Sequence, residues 1–590
     1  MRDAMSRKEL DVYSRFLHEV QSFKDNPNQG LGTRIEELAN SQPKNIALFF
    51  QDATWTFQAL NAECNRVAHF FLKLGLKPGE TVALMLENSP DFLFCMIGLN
   101  KIQAISALIN YHQKKQALAH SFKIADPTFI VVDGDCLPAF KEIASELACS
   151  NDRIFVVNNP RDIPHAYIDL GNKLKSESPL NPATTYNSTM RQTALYIYTA
   201  GTTGLPKAVI MQHFKLFSQG AIIGQALAQL TPADTVYIVT PLYHNLAIGT
   251  AWMAAILTGA SVALRKQFSA SGFWEDVHKY HVTFTMYIGE IPRYLLNQPE
   301  SEIEKNQPLK KMAGLGLRKD IWEPFKSRFG IEHIWEFYGS TEGHRPFFNV
   351  DEVPGMIGRN NVPGIVLAKV DPETGQFYKD AQGFFVKCNP GETGMILIKV
   401  EKDDIFTGYK DKAKTNEKLI HNCFREDDAY FNTGDMLKLH DHQWVSFADR
   451  FGDTFRWKGE NVSTLEVEEI LNSYDAIEMS AVYGVPIPNT EGKAGMAAIK
   501  LKHSIKFEVN DFSRFITEVL PPYSIPLFLR LRKKFEFTGP LKLTKVNLRN
   551  DAYNLDMILD RLYFWDIAAK RYKPLTKSEY QQIIAGHFKF

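Results

Sequence analysis

The chain has 590 residues, more than one ordinary hydrophobic core accommodates, so two or more domains are expected. With 45% apolar and 23% charged residues it is a folded globular protein, and disorder is excluded as its main state. Lysine plus arginine and aspartate plus glutamate are 67 each, so no net field draws the chain to nucleic acid or to an acidic membrane surface.

The opening MRDAMSRKELDVYSRFLHEV places apolar residues at helical spacing between charges and lacks the apolar core of a signal peptide, which argues against secretion. Next, NRVAHFFLKLGLKPG (65–79) reads as helix, while TVALML (81–86) and TFIVVD (128–133) read as strands. Their alternation predicts α/β layers with parallel sheets. Residues 246–264, LAIGTAWMAAILTGASVAL, carry no charge and approach the length of a membrane span. The TG near the middle reads as a helix stop, so a buried helix followed by the strand SVAL is the expectation. A polar, glycine-containing turn inside 447–471 marks the clearest late boundary, and the tail from about residue 453 is long enough for a small α/β domain. Six cysteines (Cys64, Cys95, Cys136, Cys149, Cys388, Cys423) show no CxxC pair and no zinc-finger spacing, as expected of reduced thiols in a cytosolic setting.

One stretch invites chemistry. YTAGTTGLPKAV (198–209) follows the strand-like LYIY, and its glycines, threonine hydroxyls and Lys207 suit an oligophosphate, although a plain surface turn has the same composition. It is not a Walker loop: Pro206 precedes the lysine and Ala208 follows it, so the required loop-to-helix transition is denied.

Further stretches follow in order: PLYH (241–244), GLGLR (314–318), FYGSTEG (337–343), FNTGD (431–435) and ADRFGD (448–453). With the 198–209 loop, this series resembles the adenylate-forming (ANL) superfamily of acyl-CoA synthetases, luciferases and peptide-synthetase adenylation domains. RKQFSASGFWEDVHKYHVTFTMYIGEIPRYLLNQP (265–299), DRFGDTFRWKGENVSTLEVEEIL (449–471) and VYGVPIPNTEGKAGMAAIKL (482–501) are similar to its fatty acid transport protein and very-long-chain acyl-CoA synthetase branch, from about residue 40 to the C-terminus.

The resemblance implies an α/β fold: a large N-terminal adenylate-forming domain of layered sheets and helices (residues 1–450) and a smaller mobile C-terminal α/β domain (451–590). It implies a fatty acid, ATP with Mg²⁺, and coenzyme A as reaction partners. A fatty carboxylate attacks the α-phosphate of ATP, giving acyl-AMP and pyrophosphate; the CoA thiol then attacks the acyl carbonyl and AMP leaves. Two anions must meet in the first step, so the site needs cations and aimed dipoles.

Roles carry over by position. Thr199, Gly201, Thr202, Thr203, Gly204 and Lys207 would cradle the β- and γ-phosphates. Tyr338, in the segment with Gly339 and Ser340, would stack on adenine opposite the backbone of Gly316, while Thr341 would reach the α-phosphate and Glu342 would hold Mg²⁺. Asp435 would accept from the ribose hydroxyls, with Arg450 reaching the same sugar. His244 would orient the reacting carboxylate. Gly452 is a pivot or a plain turn glycine, and Gly459 with Glu460 would line the CoA path. The mobile lysine is expected at Lys542 in EFTGPLKLTKVNL (536–548), with Lys545 as alternate; Pro540 stiffens the approach.

Phe268, Phe273, Trp274, Phe284, Tyr287 and Tyr294 could equally wall an acyl tunnel or fill a core. Bulky acids such as bile acids fit the branch as well as long chains do. The membrane-spanning N-terminal segment of animal members has no counterpart, which weakens a claim of direct transport, while peripheral association at the inner face of a membrane is compatible. Two other classes stand beside the synthetase: a lipid-binding, transport-assisting protein with a vestigial site, and an adenylating enzyme that passes its acyl group to another acceptor.

Overall fold

A computed structural model describes every residue except 1–4, 159–166, 201–204, 344, 372–373, 402–405, 451–454, 458–459, 489, 491, 503–504, 538–542, 544 and 589–590; side chains at 200, 449, 450, 456, 460 and 461 are also left out. Two compact units emerge: one of Met1–Leu317, Phe325–Val353 and Glu401–Lys418, the other of Arg318–Pro324, Pro354–Val400 and Leu419–Phe590.

The first unit holds two large sheets. One runs Ile168–Asp169, Ile154–Val157, Phe129–Asp133, Thr81–Met85, Ile105–Leu108, Thr193–Ala200, Pro206–Gln212. All its pairings are parallel until the last, an antiparallel hairpin. The other has eight strands, with a parallel interior from His333–Tyr338 to Ile46–Phe50 and an antiparallel strand at each edge. The expected parallel α/β layering is present. The helix read at 65–79 is Phe57–Lys73, longer at its start because the Thr56 hydroxyl accepts from the Ala59 amide and caps it.

Residues 246–264 fold as a buried helical run ending at Thr258, a left-handed Gly259 (φ 75°) and the strand Ser261–Leu264 inside the eight-stranded sheet. Among the described residues no helix is long and apolar enough to cross a membrane. The aromatic-rich region is largely core: Phe273, Trp274, Phe284 and Tyr287 are buried, and Trp274 stacks on Phe329 at 4.6 Å. Phe268 and Tyr294, 6.2 Å apart, are half-buried. The cysteines are free thiols, and Cys64, Cys95, Cys136 and Cys423 are buried.

The second unit holds an antiparallel sheet built on Ala429–Leu439 and Trp444–Arg450, a short hairpin Phe455–Trp457 with Glu460–Val462, and a five-stranded sheet from Ile477–Pro486 to Arg571–Pro574. Helices Thr464–Asn472 and Val509–Val519 bury Leu471, Phe512 and Ile516 in that last sheet's core.

Candidate functional site

The loop 201–204, with Gly201, Thr202, Thr203 and Gly204, lies outside the described residues, but both its shoulders are described. Strand Thr193–Ala200 pairs with Pro206–Gln212 so that Thr199 stands opposite Lys207. Pro206 thus opens a strand, which agrees with the exclusion of a Walker loop. The Thr199 hydroxyl donates to Glu342 Oε1 (2.7 Å), 143 residues away, and the Tyr409 hydroxyl donates to the same oxygen (2.9 Å). Lys207 is buried with its Nζ 5.1 Å from the Tyr409 ring centroid. Thr199 and Lys207 of the 198–209 stretch and Glu342 of FYGSTEG therefore converge. Tyr409 belongs to none of the quoted motifs, and nothing in FTGYKDK distinguishes it locally.

The STEG turn is tight: the Gly343 amide donates to Ser340 Oγ (2.9 Å) and to the Ser340 carbonyl (3.1 Å). Gly339 is exposed, while Ser340, Thr341 and Glu342 are half-buried. A second residue missed in the sequence holds this turn from behind. Lys215, 2% exposed in helix His213–Gly220, donates from Nζ to the carbonyls of Thr341 (2.7 Å) and Glu342 (3.2 Å). Burial pushes its ammonium down to about 8, with the Glu342 charge opposing. Glu342 offers a half-buried carboxylate, the oxygen chemistry that suits a hard cation such as Mg²⁺. Among the described residues no three or more His, Cys, Asp or Glu gather for a metal. A magnesium ion here would rest on one carboxylate and on substrate phosphates, its usual arrangement.

Tyr338 ends its strand and is buried, its ring 6.1 Å from Phe347. Gly314 pairs with Glu336 across the neighbouring parallel strands, so Gly316 and Tyr338, each two residues further on, leave the sheet side by side. Gly316 takes φ 87°, a backbone that favours glycine. Glu336 fixes this exit: its buried carboxyl accepts from the amides of Gly316 (2.8 Å) and Leu317 (2.9 Å) and from the Tyr287 hydroxyl (2.6 Å). Burial pushes that carboxyl up to about 7, against the pull of the three hydrogen bonds.

His244 is half-buried in the PLYH turn, where its carbonyl accepts from the amides of Ala247 and Ile248 at the start of the helical run. Buried Asn88 fixes the turn, accepting from the Leu242 amide (2.7 Å) and donating to the carbonyls of Thr240 and Arg265 (both 3.0 Å).

In the second unit, Asp435 and Arg450 are cross-strand partners. Gly434 at φ 81° donates its amide to Asn432 Oδ1 (3.0 Å), and the Asp435 amide donates to Thr433 Oγ1 (3.1 Å). The two ribose candidates thus share one position on the sheet; the Arg450 side chain is outside the described residues. So are Lys542, Gly452 and Gly459. Lys545 is described: it is 11% exposed, with its Nζ 2.8 Å from Glu468 Oε1 and 2.9 Å from Thr464 Oγ1. Glu468 also pairs with Arg318 (2.8 Å) and accepts from the Val482 amide (2.8 Å). Burial raises its carboxyl, but Lys545 and Arg318 outweigh burial and hold it below the usual range. Lys545 is thus engaged in a buried ion pair with Glu468.

The AMP-binding enzyme family matches residues 35–410, more than half of the chain. The medium/long-chain fatty acid CoA ligase FadD6 of Mycobacterium tuberculosis is 38% identical over 540 residues, 92% of this chain and 88% of that protein. Long-chain fatty acid transport protein 2 of Rattus norvegicus is 37% identical over 560 residues, 93% and 89% of the two chains. In fold, the anthranilate CoA ligase AuaEII, solved with anthranoyl-AMP, superposes with a TM-score of 0.76 at 22% identity, over 89% of this chain and 98% of that one. The chain belongs to the AMP-binding, adenylate-forming (ANL) enzymes, in their fatty acid transport protein and very-long-chain acyl-CoA synthetase branch.

Proposed function

We propose that this protein is a long-chain or very-long-chain fatty acyl-CoA synthetase, an AMP-forming acid–thiol ligase that activates a fatty acid through acyl-AMP. The observation that carries the reading is the meeting of Thr199 and Glu342, drawn from two distant motifs, beside buried Lys207. Hydroxyl, carboxylate and ammonium at the shoulders of one glycine–threonine loop are what an ATP polyphosphate needs. The relatives named for medium- and long-chain fatty acids support the acyl partner.

In this reading Lys207 and Thr199 bind the β- and γ-phosphates, Thr341 reaches the α-phosphate, and Tyr338 with Gly316 holds adenine. Asp435 and Arg450 take the ribose, and His244 orients the acyl carboxylate. A Mg²⁺ ion at Glu342 supplies charge neutralisation when bound. The functional division falls at 450/451, with Gly452 as pivot and Gly459 and Glu460 along the CoA path. Lys542 is the lysine that bridges carboxylate and α-phosphate. The engagement of Lys545 with Glu468 supports that choice. Action in the cytoplasm, with peripheral contact at a membrane that supplies fatty acid, completes the proposal.

The test is fatty-acid-dependent pyrophosphate release with ATP and Mg²⁺, with and without CoA, and direct detection of the thioester. Acyl-CoA and AMP are expected. Acyl-AMP without thioester would point to another acceptor; bound fatty acid without either product would point to a vestigial site. Lys542→Ala is expected to lower acyl-AMP formation by about 10²–10³-fold, the cost of losing one aimed charge in a reaction centre. Lys545→Arg, which preserves the ion pair with Glu468, should leave that rate near wild type. The reverse pattern would transfer the role to Lys545.

A further inference from the structure

Tyr409 touches two of the groups placed at the ATP polyphosphate and lies outside the motifs that carry the family resemblance. Its backbone is tied to the strand that leaves the 201–204 loop. The Ile210 amide donates to the Gly408 carbonyl (3.0 Å), the Lys410 amide to the Ala208 carbonyl (2.9 Å), and Tyr409 bridges Val209. The Thr407 hydroxyl donates to the Ile210 carbonyl, and the Tyr409 amide donates to Thr415 Oγ1 (2.9 Å). Gly408 takes φ 65°, and a Cβ there would lie 2.6 Å from Thr415 Cγ2, so the turn that aims the tyrosine tolerates little else. One residue on, Lys410 donates to the Ala125 carbonyl (2.7 Å) and lies 5.3 Å from the Tyr196 ring centroid. Tyr409 is therefore joined by backbone hydrogen bonds to the strand Pro206–Gln212.

The side chain works at both ends. Its ring face carries the Lys207 ammonium, and its hydroxyl donates to Glu342 Oε1. Thr199 donates to the same oxygen. Two hydroxyls converging on Oε1 hold that oxygen in place and, among the described residues, leave Oε2 for a third partner.

We propose that Tyr409 is a positioning residue for the magnesium–polyphosphate complex: its ring sets the Lys207 ammonium, its hydroxyl sets the Glu342 carboxylate, and the cation and anion of the site are thereby held in fixed register. This rests on the reading of Lys207 and Glu342 as ATP- and Mg²⁺-binding groups. A single aromatic side chain thus contacts both the cation and the anion of the site.

The experiment uses the full chain and three variants. Tyr409→Phe keeps the ring under Lys207 and removes the hydroxyl; Thr199→Val removes the other donor to Oε1; Tyr409→Leu removes the ring as well. ATP affinity is measured by calorimetry in Mg²⁺ and in EDTA, and acyl-AMP formation is measured across a Mg²⁺ titration. Wild type should bind ATP more tightly with Mg²⁺. In Tyr409→Phe and Thr199→Val that gain should shrink by about tenfold, the cost of one hydrogen bond to a charged group, and half-maximal rate should need correspondingly more Mg²⁺. In Tyr409→Phe, affinity in EDTA and the KM for fatty acid should not move, although general loosening would shift both; Thr199→Val, at a residue placed on the phosphates, should also weaken binding in EDTA. Tyr409→Leu should also weaken binding in EDTA. If wild type forms acyl-AMP and Tyr409→Phe matches it in both assays, the positioning role is overturned and the synthetase reading stands. If wild type forms no acyl-AMP but shows the Mg²⁺ gain and Tyr409→Phe loses it, the synthetase reading falls and the positioning role stands. If wild type shows no Mg²⁺ gain, the positioning role is overturned as well.

Discussion

Glu336 in the first unit and Glu468 in the second are each 2% exposed, yet their neighbours leave their carboxyls shifted in opposite directions. Glu336 meets neutral donors, two amides and a phenol, and burial prevails: its carboxyl rises to about 7. Glu468 meets Lys545 and Arg318, and their charges prevail over burial, holding its carboxyl low. Depth alone therefore does not fix a buried acid's charge; the charge of its partners does. The two sites serve different ends. Glu336 shapes the backbone exit of Gly316 and Leu317, whereas Glu468 ties Lys545 to helix Thr464–Asn472.

The strongest test removes the ionised member. Glu468→Leu leaves Lys545 and Arg318 facing an apolar side chain, and stranding buried charge in this way costs about 3–5 kcal/mol. Hydrogen exchange in Thr464–Asn472 and Ile477–Pro486 would read the loss locally, so the first unit serves as an internal control. Unchanged protection there would mean that the pair adds nothing net.

The second test is a pH profile. Glu336 has its ordinary value near 4.5 when unfolded and about 7 when folded. Between those limits the unfolded chain has lost the proton and the folded chain keeps it, so this group's contribution is complete below 4.5 and falls away as pH rises through 7. A shift of that size is worth about 3 kcal/mol. Glu468 has the opposite sign: its contribution is present above its unfolded value and lost as pH falls through the lower folded one. Denaturant midpoints of wild type and Glu336→Gln, taken at pH 5 and pH 8, should show the variant gaining on wild type as pH rises. A difference independent of pH would mean that Glu336 is ionised throughout.

These environments were not legible in the sequence, while much else was. Parallel sheets, the helix stop at Gly259 and the strand after it follow from local pattern, because period and breaker residues act over a few positions. Thr199, Lys207, Glu342, Tyr338 and Gly316 could be named as candidates because each sits in a motif. Tyr409, Lys215 and Asn88 were not, since each acts through a partner far along the chain: Tyr409 on Glu342, Lys215 on the Thr341 carbonyl, Asn88 on the PLYH turn. The aromatic run 268–294 was ambiguous for a related reason. Core and tunnel use the same side chains, and only the packing of Trp274 on Phe329 and the Tyr287 bond to Glu336 separate the core members from half-buried Phe268 and Tyr294.

The smallest expected effect sharpens the contrast most finely. Tyr287→Phe keeps the buried ring and removes one donor from Glu336, a loss of about 1 kcal/mol. The Tyr287 bond pulls the carboxyl down against burial. Without it the carboxyl should rise further, so the fall of stability with pH should extend to higher pH than in wild type. The amides of Gly316 and Leu317 still hold the carboxyl in place, so ATP affinity should move little. The direction of the shift also decides who donates across the 2.6 Å bond. A rise means the phenol donates to a carboxylate; a fall would mean that the acid proton of Glu336 fills the bond and the tyrosine oxygen accepts it.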